Sequence, residues 1–263
     1  MSSEFIVGDS LVVLSGYAAA FFDGVLTSPP YNLGHNPRHR TRDSTDYSLY
    51  SSGAFKDNMT NEEYVAKMLQ LFILLEKVVK EAGVILWNMG ISTKNAALPF
   101  HLIHEIDAKT NWTVGDMIYW KKKTAMPFQT SPNKATPLVE PVYVFCRKSH
   151  TKDYSANKPL GNKNETTGQQ FYKNVPNVFE AANGVSTTFN HATFSEEMVL
   201  ELLQRYFKPG QHVLDPFGGS GTVLNSAKKL GIKATGIEID PNQVELYNSL
   251  GEGKIDKKNE ERK

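Results

Sequence analysis

The sequence predicts an α/β fold, a doubly wound and mostly parallel sheet with helices on both faces, and three observations predict it. Apolar runs of strand length alternate with stretches of helical periodicity along most of the chain. Two of those runs stop abruptly, one at Ser28-Pro29-Pro30-Tyr31 and one at a glycine-rich turn, Phe217-Gly218-Gly219-Ser220-Gly221, that leads into a helix. The chain has 263 residues, 40% hydrophobic and 22% charged, which suits one domain of this class with a small appendage and excludes a disordered or collagen-like chain.

Phe5–Val7 and Gly24–Leu26 read as short strands. The second ends in a rigid turn, because each proline fixes φ and Pro30 also restricts Pro29. Residues 33–58 are rich in Ser, Asp, Arg, Gly and Asn without sustained periodicity, as in lids, binding loops or disordered segments. Helical order resumes at Thr60, which forms a capping box with Glu63, and Tyr64, Met68, Phe72 and Leu75 recur at helical spacing toward Gly83.

Val84–Trp87 is a buried strand, Thr93–Lys109 a helix, and Thr113–Trp120 with Val142–Cys146 are paired strands. Residues 147–190 break the alternation, with Asn, Lys, Gly, Thr and Ser around scattered aromatics, and read as an inserted or peripheral, substrate-facing segment. The pattern returns with a helix at Ser195–Phe207, a strand at His212–Leu214, a helix at Thr222–Leu230, a strand at Lys233–Ile237 and a helix at Pro241–Leu250. The charged residues 251–263 read as a tail.

A net charge of +1 names no nucleic-acid partner, but its distribution is uneven. Residues 147–173 carry six Lys and Arg against two acidic residues, and Arg38, Arg40, Arg42 and Lys121–Lys123 form further basic clusters. The longest apolar cluster, Leu71–Leu75, is far too short to span a bilayer, and the chain starts without a basic stretch followed by an apolar run, so the expectation is a cytoplasmic protein without a membrane partner. The lone Cys146 offers neither a disulfide nor a Cys-rich zinc site, and the seven histidines show no metal-ligand spacing, so no catalytic metal is expected.

Strand, glycine turn and helix start follow one another from Val213 to Thr222, an order that suits a nucleotide-type cofactor. Glycines admit close backbone approach, and Glu238, ending the next strand 17 residues after Gly221, can accept hydrogen bonds from ribose hydroxyls. A dinucleotide fingerprint would need a third glycine where Leu224 stands, and there is no phosphate loop of the Gly-Lys-Ser/Thr kind, which weakens the NAD and ATP readings. An adenosyl cofactor remains.

With Ser28-Pro29-Pro30-Tyr31 and Phe217-Gly218-Gly219-Ser220-Gly221 in this order, the chain resembles the amino-DNA methyltransferases of the permuted beta group. The resemblance runs from about Phe5 to Leu250 and includes weaker matches at Gly8-Asp9, Trp120-Lys121 and His191–Ser195. It implies a Rossmann-like methyltransferase fold in which 1–146 is the catalytic part with a mobile loop at 33–58, 147–190 recognises the target, 191–250 binds the cofactor and 251–263 is a tail. It implies S-adenosylmethionine as cofactor, held by Phe217, Gly218, Gly219, Gly221, Thr222 and Glu238, with Asp9, Phe194 and Asp215 as further candidates. Asp9 could instead cap a turn, and Phe194 could be a core aromatic.

By the same resemblance Ser28 and the Pro29 carbonyl accept the hydrogens of an exocyclic base amine, Pro30 completes the turn, and Tyr31 stacks on the base. Such an amine is a poor nucleophile because its lone pair is delocalised, so the site must orient it toward the methyl donor, and the base must first leave the helix. In this family Ser at the first position usually accompanies cytosine N4 and Asp adenine N6, which favours cytosine N4 here; carbon-5 chemistry would need a thiolate after proline, and Cys146 lies in an apolar strand. The implied partner is double-stranded DNA, contacted by Arg38, Arg40, Arg42, Trp120, Lys121, Lys122 and Lys123, in a restriction-modification setting where a cognate endonuclease and a homodimer are further partners to expect. RNA or protein-amide methylation and a non-catalytic nucleic-acid-binding module are the competing readings.

Overall fold

The computed structural model describes residues 3–32, 59–91, 95–124, 132–184 and 194–250. The loop at 33–58 with Arg38, Arg40 and Arg42, the stretch at 185–193 and the tail at 251–263 lie outside the described residues.

In chain order the elements are β1 (Glu4–Val7), α1 (Ser10–Ser15), β2 (Phe22–Thr27), α2 (Asn61–Val78), β3 (Val79–Asn88), α3 (Leu98–Lys109), β4 (Trp112–Lys122) and β5 (Val139–Arg147). They continue with β6 (Leu160–Lys163), β7 (Gln170–Tyr172), β8 (Val178–Ala181), α4 (Glu196–Tyr206), β9 (His212–Asp215), α5 (Thr222–Lys229), β10 (Lys233–Glu238) and α6 (Pro241–Leu250). Eight strands form one sheet in the order β1-β10-β9-β2-β3-β5-β4-β8, and β6 and β7 form a separate hairpin. Every pairing in the large sheet is parallel except those of β5, which runs against both β3 and β4.

Strands β3, β5 and β9 read as continuous apolar runs because both faces of the sheet are covered. On one face Ile85, Trp87, Tyr143, Phe145 and Leu214 pack against α1, α2 and α3. On the other, Val84, Leu86, Val142, Val144 and Val213 meet side chains of α4, α5 and α6, so residues alternate between two hydrophobic layers with the period of a strand. Cys146 is buried in β5, where desolvation pushes its thiol up, as befits a core residue.

Helix α2 begins as its sequence demands: the Thr60 hydroxyl accepts from the Glu63 N–H at 3.2 Å, and the Glu63 carboxylate accepts from the Thr60 N–H at 2.9 Å. It ends five residues before the expected Gly83, at Val78. Its last carbonyls are taken by another segment, since the Ala20 and Phe21 N–H groups bond the Lys77 and Val78 carbonyls at 2.9 and 2.8 Å, and Val79 pairs with Phe22 as the start of β3. Helix α3 begins at Leu98, with Pro99 in its first turn, where a missing N–H costs nothing. The short α1 was not expected from the sequence; Asp9 caps it, accepting from the Leu11 N–H at 2.8 Å.

The segment at 147–190 is only partly peripheral. The β6-β7 hairpin stands apart, with Leu160, Phe171 and Tyr172 exposed, whereas β8 pairs with β4 as the edge strand of the large sheet. Among the described residues no helix is long and apolar enough to cross a membrane.

Because the capping box supplies two otherwise unmet backbone bonds, Thr60→Ala should lower stability by about 1 kcal/mol, read as a shift in the urea midpoint with an unchanged slope.

Candidate active site

The sequence places its motif residues at the carboxyl ends of neighbouring strands. Ser28 follows β2, the glycine loop follows β9, Glu238 ends β10, and Gly8-Asp9 follow β1. Strands β9 and β10 continue the sheet toward one edge and β2 and β3 toward the other, so β2 and β9 flank the point where the winding reverses, the usual place for a ligand crevice.

The backbones of β2 and β9 pair only at Gly24 with Val213 and Val25 with Leu214. Beyond that pairing, the Thr27 hydroxyl donates to Asp215 Oδ1 at 2.6 Å, in full burial. The same oxygen accepts from the Phe217 N–H at 3.1 Å, so Asp215 ties the end of β2 to the first turn of the glycine loop. Only 2% of Asp215 is exposed, and desolvation, aided by the nearby Glu238, pushes its carboxyl up to about 7 against the bonds from Thr27 and Phe217.

Glu238 organises the loop from the other side. Its Oε2 accepts from the Gly219 N–H at 2.8 Å and its Oε1 from the Asp240 N–H at 2.9 Å, and burial to 7% exposure raises its pKa. The carboxylate keeps room to accept a further hydrogen bond. Gly221 has φ +76°, and a β-carbon there would collide with the Tyr247 ring; at Gly218 one would strike Phe5. Gly221 precedes Thr222, the first residue of α5, whose buried hydroxyl lies 3.2 Å from that of Ser220. Phe217 packs edge-on against Trp87, with ring centroids 6.1 Å apart. Asp9 stands at this same end of the sheet: the Gly8 N–H bonds the Glu238 carbonyl at 2.8 Å, and the Ser10 hydroxyl bonds the Pro216 carbonyl. Besides capping α1, Asp9 pairs with Lys67 at 3.4 Å. Phe194, partly buried, packs against the hydrophobic layer that includes α4.

The Ser-Pro-Pro-Tyr turn is held by groups that the sequence did not single out for it. Tyr64, from α2, donates to the Pro30 carbonyl at 2.8 Å. Asn32, at φ +53°, exchanges two 2.9 Å bonds with the Met59 backbone and so joins the two ends of the loop at 33–58. The Tyr31 hydroxyl lies 2.7 Å from Glu140 Oε1, 3.0 Å from Asn88 Oδ1 and 3.2 Å from Ser28 Oγ. Burial first, and the Glu140 carboxylate second, raise its pKa well above that of a free phenol, so Tyr31 keeps its proton. Asn32 adjoins the motif and Tyr64 was visible as a helical-face residue; nothing in the sequence marked Asn88 or Glu140.

The structure places Trp120 and the three lysines after it, expected to contact DNA, at and just past the end of β4. Trp120 is 5% exposed, lies in a hydrophobic layer and donates its indole N–H to the Ala181 carbonyl at 3.1 Å. Lys121, Lys122 and Lys123 pair with Glu180, Glu140 and Glu197 at 2.7, 2.7 and 2.9 Å. Strand β8, the edge of the sheet, covers the tryptophan, while the three lysines, each ion-paired, stay partly exposed beside it.

A glycine loop at a helix start, an acid at the end of the adjacent strand and a proline turn across the switch point define an α/β enzyme site for a nucleoside-like cofactor with a second substrate beside it. The chain belongs to the DNA methylase family, whose N6/N4 methyltransferase model matches residues 22–249. It is 31% identical over 215 residues to the type II methyltransferase M.MwoI of Methanothermobacter wolfeii, covering 78% of this chain and 27% of that protein. With M.BglII of Bacillus subtilis it shares 24% identity over 274 residues, 96% of this chain and 69% of the relative. The chain thus spans about a quarter of the first relative and about two thirds of the second. In fold it is similar to the PvuII DNA methyltransferase (cytosine-N4-specific), with a TM-score of 0.69 at 17% identity over 97% of this chain and 94% of that one. It is also similar to M1.HpyAVI in complex with SAM, with a TM-score of 0.59 at 15% identity over 94% and 98%.

A buried acid with a raised pKa makes stability depend on pH with a definite sign. The folded chain holds the Asp215 proton more tightly than the unfolded chain, so its contribution is full below about pH 4 and is lost as pH rises toward 7. Asp215→Asn should therefore gain on the wild type by about 2–3 kcal/mol between pH 5 and 7.5, read from urea midpoints without ligand; parallel pH curves would contradict this.

Proposed function

We propose that this chain transfers a methyl group from S-adenosylmethionine to an exocyclic amine of a base flipped out of double-stranded DNA, with cytosine N4 as the target. The observation that carries the reading is the Thr27–Asp215 bond at 2.6 Å, which sets the Ser-Pro-Pro-Tyr turn beside the glycine loop at one switch point. An amine held at Ser28 would then face a cofactor held by the loop.

Charge supports the choice of cofactor. Asp215 and Glu238 are buried at the loop, and no Lys or Arg among the described residues forms an ion pair with either. Such a site repels the phosphates of NAD or ATP and favours a cationic ligand. S-adenosylmethionine brings an electrophilic methyl group on a sulfonium, together with an ammonium. Glu238 would take the ribose hydroxyls, the amides of the glycine loop and the start of α5 would meet the carboxylate, and Asp215 would lie within the field of the ammonium.

Ser28 Oγ and the Pro29 carbonyl would accept the two amine hydrogens, drawing the nitrogen lone pair out of conjugation and toward the methyl group. Tyr31 would offer its ring to the base, and α2 keeps the turn rigid through Tyr64. The exposed β6-β7 hairpin, with Leu160, Phe171, Tyr172, Lys163 and Lys173, has the width to enter a major groove, which supports target recognition by residues 147–190. The type II relatives suggest a restriction-modification setting.

Nucleoside mass spectrometry of mixed-sequence duplex DNA, after incubation with isotope-labelled S-adenosylmethionine, should give labelled 4-methylcytosine. Labelled 6-methyladenine would keep the mechanism and overturn the base assignment. Ser28→Ala should lower turnover by about 100-fold or more while cofactor affinity by calorimetry stays within about twofold; equal loss of cofactor binding would remove Ser28 from the target amine.

A further inference from the structure

A serine hydroxyl has one proton and two lone pairs, so it can meet an amine as donor or as acceptor. Ser28 serves methyl transfer to an amine only as an acceptor, and its own proton must then go elsewhere. Its hydroxyl donates to Tyr31 Oη at 3.2 Å, but that phenol also has one proton to give. Whether the phenol accepts from Ser28 depends on what takes its proton.

Two acceptors do. Glu140 Oε1 is 2.7 Å from the phenol oxygen and Asn88 Oδ1 is 3.0 Å from it. The asparagine amide is oriented by its own donor, Nδ2, which bonds the Pro141 carbonyl at 3.1 Å and leaves Oδ1 toward Tyr31. Lys122 Nζ sits 2.7 Å from Glu140 Oε2 and 5.0 Å from the centroid of the Trp120 ring, so the carboxylate has a charged partner on its far side. Gly90 closes the arrangement: a β-carbon there would lie 3.2 Å from the Glu140 carboxyl and 3.3 Å from the Tyr31 ring.

We propose that Glu140 is a positioning residue which, with Lys122 behind it, fixes the direction of a hydrogen-bond chain from Ser28 to Tyr31 to Glu140 and so holds the Ser28 hydroxyl as an acceptor toward the target base. This rests on the reading of Ser28 as the acceptor of the target amine, and it adds a source of specificity. A hydroxyl whose proton is committed to Tyr31 welcomes an exocyclic amine and opposes a keto oxygen at the same place, because two acceptors then face each other. The site thereby discriminates cytosine from thymine or uracil, and adenine from guanine, before any contact with neighbouring bases.

Glu140→Gln tests the direction of the chain without changing its shape. Lys122 will claim the amide oxygen, turning the amide N–H toward Tyr31, where it competes with Ser28 for the phenol lone pair. Tyr31→Phe removes the middle of the chain and keeps the ring. Measured on the full chain with duplex DNA, each variant should lower kcat by about 10-fold or more, with KM for DNA, cofactor affinity and melting temperature near wild type. The double variant should be no slower than Tyr31→Phe alone, because both changes break one chain. A Glu140→Gln kcat within twofold of wild type, losses that multiply in the double variant, or a loss seen in cofactor affinity and melting temperature instead of kcat would each overturn the proposal. Wild-type chain that methylates no DNA would overturn the functional reading and this inference with it, whereas an active wild type matched by Glu140→Gln would overturn the inference alone.

Discussion

The site depends on one buried bond, that between Thr27 and Asp215. Strands β2 and β9 share only two residue pairs of backbone ladder, so their carboxyl ends need a side-chain tie to hold a fixed separation. The tie uses a carboxyl in a place where ionisation is costly, which is why its pKa climbs to about 7. The same oxygen orients Phe217 and hence the glycine loop. A single carboxyl thus sets where each motif stands and how far apart they are.

The reversed strand matters as much as the parallel ones. In a wholly parallel sheet each strand offers only its last residues to the carboxyl edge, and the incoming ends lie on the far side. Because β5 runs antiparallel to β3, its first residues arrive at that edge, with Val142 opposite Asn88. Glu140 is therefore brought beneath the Ser-Pro-Pro-Tyr turn by topology. Strand β4 leaves by the same edge and delivers Lys122 to the glutamate, in register through Trp120 opposite Glu140.

What the sequence disclosed follows the range of the interactions involved. The start of α2 was legible because a capping box closes within four residues, and β3 and β5 were legible because burial on both faces leaves continuous apolar runs. The glycine loop and the Pro-Pro turn could be placed from local backbone constraints. The end of α2 was misjudged since its stop is imposed by residues 20–22, far off in sequence. Lys121–Lys123 looked like a free basic cluster because their partners Glu180, Glu140 and Glu197 come from three other elements. Glu140 escaped notice for the same reason: it is 109 residues from Tyr31, and a lone glutamate before Pro-Val-Tyr carries no local signature.

The electrostatics of the crevice join these features to the proposed chemistry. Glu238 raises the cost of ionising Asp215, Asp240 that of ionising Glu238, and both carboxyls are short of water. A ligand carrying positive charge relieves that cost, whereas a polyphosphate would add to it. Across the crevice, Tyr31 keeps its proton and Glu140 has Lys122 as a cationic partner, so the side proposed to face the base is set by hydrogen-bond direction more than by net charge. On the proposed reading one wall would select the cofactor by charge and the other the base by donor and acceptor pattern, with the Thr27–Asp215 bond holding the two walls together.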